Sequence, residues 1–133
     1  MKIATRRLWL TLASLLSICF TLVAGVNQAS AHTYLISSTP KAGSVVDTWP
    51  AKITLTFSEK LLLPKEKSAN TVMIVDSKGQ SIDFKSLKVA GSVITFIPTK
   101  TPKPGIFRVK WRVVSGDGHP VSSSFTFTLK QAK

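Results

Sequence analysis

The feature that most constrains the fold is a long run of alternating side chains near the end of the chain. Residues 106–114 read IFRVKWRVV, in which apolar residues at 107, 109, 111 and 113 alternate with basic residues at 108, 110 and 112. Successive side chains of a strand point to opposite faces, so the pattern predicts an antiparallel strand with one buried face and one face in water. Trp111 lies on the apolar side and is interpreted as a core residue with no substrate role.

Shorter stretches with strand-like patterns occur throughout the chain after residue 31. Strands are predicted near residues 53–57, 72–75, 81–87, 93–97 and 121–129, with a short first strand over 32–36. Residues 38–50 are predicted to form an irregular loop, and residues 61–70 either a loop or a single helical turn. Roughly six to eight short strands with frequent turns predict an all-β, antiparallel β-sandwich or Greek-key barrel.

The first 31 residues are distinct from the rest. Three basic residues among the first seven precede an apolar run from Leu8 to Val26, and Ala29-Ser30-Ala31 follows. This is the order of a secretory signal, so we predict a cleaved signal peptide over 1–31, a mature domain over 32–133 and a periplasmic or otherwise extracytoplasmic location. One alternative is a retained membrane anchor, because about 20 apolar residues can span a bilayer, and another is a lipid attachment.

Cysteine and charge narrow the function classes. The single cysteine, Cys19, lies in the predicted signal, which leaves the mature domain without disulfides, thiolate metal ligands or a cysteine nucleophile. Of the 18 lysines and arginines, three lie in the signal, so the mature domain carries 15 against 6 acids, a net charge of +9. The basic residues are dispersed, so we expect no nucleic-acid binding and only weak attraction to anionic envelope surfaces.

The two histidines form a candidate metal site. Cleavage after Ala31 would make His32 the first residue, and its α-amine and ring Nδ1 could then chelate one ion. Asp117 stands two residues before His119, a spacing that puts both side chains on one side of an extended backbone. An amine, two imidazoles and a carboxylate favour tetragonal Cu(II); Zn²⁺ would accept imidazole and carboxylate too, but copper binds more tightly at equal availability. Asp117-Gly118 alone is typical of an ordinary hairpin turn, so the prediction depends on both histidines together.

Three stretches of the mature chain resemble the CopC family of extracytoplasmic copper-binding proteins: AHTYLISSTPKAGSVV, PAKITLTFSEKL and GIFRVKWRVVSGDGHPVSSSFTFTL. The resemblance implies an immunoglobulin- or cupredoxin-like β-barrel and one Cu(II) ion bound by His32, Asp117 and His119. It also implies that Glu59 lies near the metal, as a weak ligand or as an acceptor that orients an imidazole. The alternative for Glu59 is a solvent-exposed acid at the end of a strand.

The chain departs from some family members in its methionine content. Those members carry a methionine-rich loop that binds Cu(I), whereas the mature chain here has only Met73, in a predicted strand. One thioether without a cysteine cannot build a Cu(I) site, so Met73 is interpreted as a core residue and only the Cu(II) site is expected.

We therefore expect a monomeric, non-enzymatic Cu(II)-binding protein for copper sequestration, resistance or delivery. The resemblance suggests a CopD-type inner-membrane copper transporter as the recipient. Two alternatives remain open. One is an oxidative enzyme with a histidine brace, which would need an exposed copper face surrounded by aromatic residues, and the other is a metal-free sandwich that binds the envelope through its basic surface.

Overall fold

The computed structural model describes residues 33–63 and 69–130, and this part of the chain is built from strands. The strands are β1 (Leu35–Thr39), β2 (Val45–Val46), β3 (Ile53–Phe57), β4 (Thr71–Val75), β5 (Ser81–Ile82), β6 (Phe84–Ala90), β7 (Val93–Pro98), β8 (Gly105–Val114) and β9 (Pro120–Leu129). Within these described ranges no helix is long and apolar enough to cross a membrane. The predicted signal peptide and His32 lie outside them.

The strands form two sheets. One has four strands in the order β1-β3-β7-β6, and the other has five in the order β2-β9-β8-β4-β5. Every pair is antiparallel except β2 with β9, which is parallel. Neighbours such as β3 and β7 are far apart in sequence, as Greek-key connections require. The predicted all-β sandwich is confirmed.

The hydrophobic core lies between the two sheets. The apolar face predicted for β8 is buried, with exposed fractions of 1% for Phe107 and 7% for Trp111, whereas its basic residues are exposed. Trp111 contacts Phe57 of the opposite sheet, with ring centroids 6.1 Å apart. Trp111 is therefore a core residue, as predicted. One continuous cluster of buried residues, which includes Ile53, Leu55, Ile94, Phe96, Val109, Phe125 and Phe127, joins the sheets.

The single strand predicted over 81–87 is wrong, because the chain changes sheets at Asp83. Ile82 ends β5 in the five-stranded sheet, and Phe84 begins β6 in the four-stranded sheet. Both side chains pack against the common core, and Phe84 lies 5.3 Å from Phe96 between ring centroids. The alternating pattern correctly predicted that both residues face inward, but inward-facing residues of either sheet have the same pattern.

Three other expectations also differ from the structure. The first strand spans Leu35–Thr39 rather than 32–36, and the short strand Val45–Val46 lies inside the predicted loop. Met73 is not in the core: its side chain is 48% exposed, because it stands opposite Lys110 on the outer face of the sheet. Its neighbour Ile74 occupies the inward-facing position of β4.

Candidate metal centre

The candidate centre is built on the tight connection between β8 and β9. The backbone N–H of Ser115 donates to the His119 carbonyl oxygen at 3.1 Å, and the N–H of Gly118 donates to the Ser115 carbonyl oxygen at 2.9 Å. Gly118 has φ +88°, a left-handed conformation that favours glycine. The turn thus holds the short segment from Asp117 to His119 in one conformation.

Within this turn the side chains of Asp117 and His119 contact each other. Asp117 Oδ2 lies 2.9 Å from His119 Nδ1. The backbone N–H of His119 donates to the other carboxylate oxygen, Oδ1, at 3.1 Å. The aspartate side chain is 32% exposed and the histidine side chain 65% exposed, so an ion from solvent can reach both.

Ser115 orients the aspartate, a role that the sequence pattern did not predict. Its side chain is fully buried. The hydroxyl donates to Asp117 Oδ1 and lies 3.1 Å from the His119 carbonyl oxygen. The only sequence indication was a serine two residues before the aspartate of a predicted turn, a spacing typical of side chains that hydrogen-bond within turns.

The hydrogen bonds of the turn hold the pKa of the Asp117 carboxyl well below its usual range. The hydrogen bond from Ser115 lowers the pKa of the Asp117 carboxyl most, followed by the bonds from the His119 backbone and ring, and the histidine charge adds a smaller effect. Desolvation acts in the opposite direction but is outweighed. An ionised carboxylate beside an imidazole is a suitable pair of donors for a divalent transition metal.

A second segment, residues 58–61, runs beside the turn. Leu61 forms an isolated antiparallel bridge with Ser115. A Cβ atom added at Gly116 would lie 3.6 Å from the carbonyl oxygen of Lys60, which shows how closely the two backbones approach. Glu59 is half-buried in this segment, just after β3. The structure therefore puts Glu59 and the turn at the same end of the sandwich.

The start of the described chain lies against the same segment. The backbone N–H of Tyr34 donates to Ser58 Oγ at 3.0 Å, and the N–H of Ser58 donates to the Tyr34 carbonyl oxygen at 2.9 Å. Thr33 is buried, with Oγ1 3.5 Å from Ser58 Oγ. Residues 58–61 thus connect Thr33, which follows His32 in the sequence, to the turn that holds Asp117 and His119.

The described residues alone do not complete a metal site. Across residues 33–63 and 69–130, no group of three His, Cys, Asp or Glu side chains is placed to hold an ion. Asp117 and His119 form a pair, and Glu59 does not join them in such a group. His32, the other predicted ligand, lies outside the described residues.

Comparisons with known proteins agree on one family. The model of the CopC domain matches residues 35–130. Copper resistance protein C of Escherichia coli is 38% identical over 118 residues, which cover 82% of this chain and 90% of that protein. Copper resistance protein C of Xanthomonas campestris pv. juglandis is 36% identical over 111 residues, covering 77% and 84%. Copper transport protein CutJ of Bacillus subtilis is 28% identical over 105 residues, which cover 77% of this chain but only 19% of CutJ.

Solved structures give the same result. CopC from Methylosinus trichosporium superimposes with a TM-score of 0.63 at 27% identity, covering 74% of this chain and 94% of that one. PcoC from Escherichia coli, described as a methionine-rich copper resistance protein, has a TM-score of 0.63 at 33% identity, covering 75% of this chain and 100% of that one. This chain is not methionine-rich, since it has two methionines in 133 residues. The family match and the shared sandwich together show that this chain belongs to the CopC family.

Proposed function

We propose that this protein is an exported Cu(II)-binding protein that serves in copper sequestration, resistance or delivery. Its relatives are named copper resistance and copper transport proteins. In this proposal the signal peptide over 1–31 is removed, and His32, Asp117 and His119 bind one Cu(II) ion. The single observation that carries the proposal is the contact between Asp117 and His119 at the same end of the sandwich as Thr33.

The separation of the two donor atoms supports binding of one ion by both. Metal bonds to imidazole nitrogen and carboxylate oxygen are about 2.0 Å long, so two atoms bound to one ion lie no more than about 4 Å apart. Asp117 Oδ2 and His119 Nδ1 are 2.9 Å apart. Copper would replace the proton between them, and the imidazole would have to turn so that the Nδ1 lone pair, which is now directed at Oδ2, is directed at the ion.

His32 would supply the remaining nitrogen donors. Removal of the signal gives it a free α-amine, whose proton a metal can displace because an α-amine titrates near 8. The backbone of Tyr34, two residues later, is fixed on Ser58, so the new terminus would begin close to the segment that contains Glu59. Glu59 would then be a weak ligand or would accept a hydrogen bond from an imidazole.

The donor set favours a protein that binds copper without catalysis over a copper enzyme. A histidine-brace enzyme needs open coordination positions on its copper, and in this proposal the Asp117 carboxylate occupies one of them. Copper is also favoured over zinc at equal availability, because copper lies above zinc in the Irving–Williams order. When ascorbate and a polysaccharide are added to the copper-loaded protein, no oxidised polysaccharide is expected.

A membrane copper transporter of CopD type is the proposed recipient. The match to CutJ supports this, since a segment similar to this chain makes up 19% of a protein named for copper transport. In this proposal the protein serves such a transporter in the periplasm or an equivalent extracytoplasmic space. We propose that it does so as a monomer.

Copper titration of the exported protein tests the ligand set. Two variants are informative: His119→Ala, and a chain with one extra residue before His32, which turns the amine into an amide. Loss of groups that only support a metal ligand costs 10–100-fold in affinity, so loss of a ligand should cost about 100-fold or more. Ser122→Ala, an exposed change on β9, is the control and should bind copper like the parent. Unchanged affinity in both variants would refute the proposed site.

A further inference from the structure

The outer side of the five-stranded sheet carries a row of positive charge. Arg108, Lys110 and Arg112 occupy alternate positions of β8, the central strand, and all three are exposed. At about 3.4 Å per residue the row is roughly 14 Å long. We call this surface the basic face; it comprises these three residues and the hydroxyl residues opposite them on β9, namely Ser122, Ser124 and Thr126.

No acid balances this row among the described residues. The acids of the described ranges lie in turns or just beyond strand ends, at Asp47, Glu59, Asp76, Asp83 and Asp117. The two ion pairs of this part of the chain, Asp117 with His119 and Asp47 with Lys130, involve no cation of the basic face.

Two hydrogen bonds hold the arginines along the sheet. Arg112 Nη1 donates to the Ala69 carbonyl oxygen at 3.1 Å, and Arg108 Nη1 donates to Ser124 Oγ at 3.5 Å. Both contacts are to neutral oxygens, so the guanidinium charges remain available to an external anion.

Apolar side chains are exposed on the same side of the sheet. Met73 stands opposite Lys110 and is 48% exposed, and Ile106 continues the row of β8 and is 54% exposed. Val45 stands opposite Thr128, which also pairs with Ile106, and is 54% exposed. Cations mixed with exposed apolar side chains, without acids, are the composition of surfaces that lie on anionic membranes.

We propose that the basic face docks on an anionic phospholipid bilayer. The cations and hydroxyls would contact lipid phosphates, and Met73, Ile106 and Val45 would enter the boundary between headgroups and acyl chains. An acidic protein surface fits less well, because the apolar residues are scattered among the cations instead of forming one central patch. The proposal rests on the export proposed above, which brings the protein to a membrane surface, but it does not depend on the copper ligands.

Docking in this way would orient the candidate copper site. The turn that holds Asp117 and His119 follows directly from β8, beyond Arg112. With β8 lying along the bilayer, this end of the sandwich would remain beside the membrane, where a transporter could receive the ion.

Co-sedimentation of the exported protein with lipid vesicles tests the proposal. The first residue of the protein sample is established beforehand by its intact mass. The vesicles are pure phosphatidylcholine or phosphatidylcholine with phosphatidylglycerol. The informative variant is Arg108→Gln/Lys110→Gln, which leaves Arg112 and its bond near the site intact. The control is Lys85→Gln/Lys88→Gln, which removes two exposed charges from β6 in the other sheet. Each cation near an anionic bilayer contributes about fivefold in partitioning, so the first pair should weaken binding to anionic vesicles by roughly tenfold or more.

The affinity of the control variant for anionic vesicles should be within about twofold of that of the parent. No form of the protein should bind neutral vesicles. Ile106→Ser, which leaves the charge unchanged, should also weaken vesicle binding while leaving binding to soluble polyphosphate unchanged. Equal losses in the two charge variants, or no effect of Ile106→Ser, would overturn docking through this face. Copper titration of the same variants separates this proposal from the copper proposal, because both charge variants should bind copper like the parent.

Discussion

At the residue scale, the candidate site depends on three side chains of one turn. The sequence predicted that Asp117 and His119 project to one side, and the structure puts Oδ2 and Nδ1 2.9 Å apart. The sequence pattern did not predict a role for Ser115, whose hydroxyl orients the carboxylate. A serine in a turn has many possible hydrogen-bond partners, and only the folded backbone decides which one it meets. The roles of His32, Asp117 and His119 as ligands stay predictions.

Ser115→Ala tests the orientation of the aspartate. Loss of the serine hydroxyl removes the largest cause of the lowered pKa of Asp117, so that pKa should rise toward the ordinary carboxyl value of about 3.9. Copper affinity should fall by about 10–100-fold, as for other groups that position a ligand. Carboxyl titration by NMR and copper titration measure the two effects. Ser122→Ala is the control, and an unchanged Asp117 titration in Ser115→Ala would contradict this role.

The lowered pKa of Asp117 also predicts how stability depends on pH without copper. A carboxyl whose pKa is lower in the folded state contributes fully above its unfolded pKa of about 3.9 and loses the contribution as the pH falls toward the folded pKa. Asp117→Asn should therefore be less stable than the parent near pH 7, and the difference should shrink below about pH 4. Urea unfolding at several pH values measures it, and a difference independent of pH would contradict the assignment.

At the element scale, the strands of the core were predictable and the side-chain hydrogen bonds of the connections were not. The alternation of β8 indicated its buried face correctly, because burial on one face imposes a period of two. Asn70 shows the opposite case: its buried side chain donates to the Leu62 carbonyl oxygen at 2.8 Å and accepts from the Val114 N–H at 2.9 Å. This clamp joins the segment after β3 to the end of β8, and a single polar residue in a loop leaves no periodic pattern.

Asn70→Ala should destabilise the fold. The substitution leaves the buried Val114 N–H and the partly buried Leu62 carbonyl oxygen without the amide, and an unsatisfied buried polar group costs about 1–3 kcal/mol. We expect a loss of about 2–4 kcal/mol in the free energy of unfolding, measured in urea. Thr71→Ala changes the adjacent exposed residue and should cost much less. Equal losses in the two variants would show that the clamp contributes little.

At the scale of the whole molecule, two sheets form one core without a disulfide, because the chain's single cysteine is Cys19. Stability therefore depends on packing between the sheets. The all-β class followed from the number and spacing of short apolar stretches. The change of sheet at Asp83 did not, because Ile82 and Phe84 face the same interior from different sheets.

Phe96→Ala tests the dependence on packing. Phe96 is fully buried and contacts Phe84, so its removal should cost about 3–5 kcal/mol in the free energy of unfolding. Ile97→Ala, at the next position of β7 and 42% exposed, is the control and should cost about 1 kcal/mol or less. Urea unfolding compares them, and similar costs at the two positions would contradict the described core.

The central claim is that export creates a copper site from His32, Asp117 and His119. The most direct measurement is electron paramagnetic resonance of the exported protein loaded with one equivalent of Cu(II), on a sample whose intact mass shows His32 as the first residue. We predict a tetragonal Cu(II) spectrum with nitrogen couplings, part of which disappear in His119→Ala and part on extension of the terminus. A mature protein that begins at another residue, or a spectrum identical in all three forms, would contradict the claim.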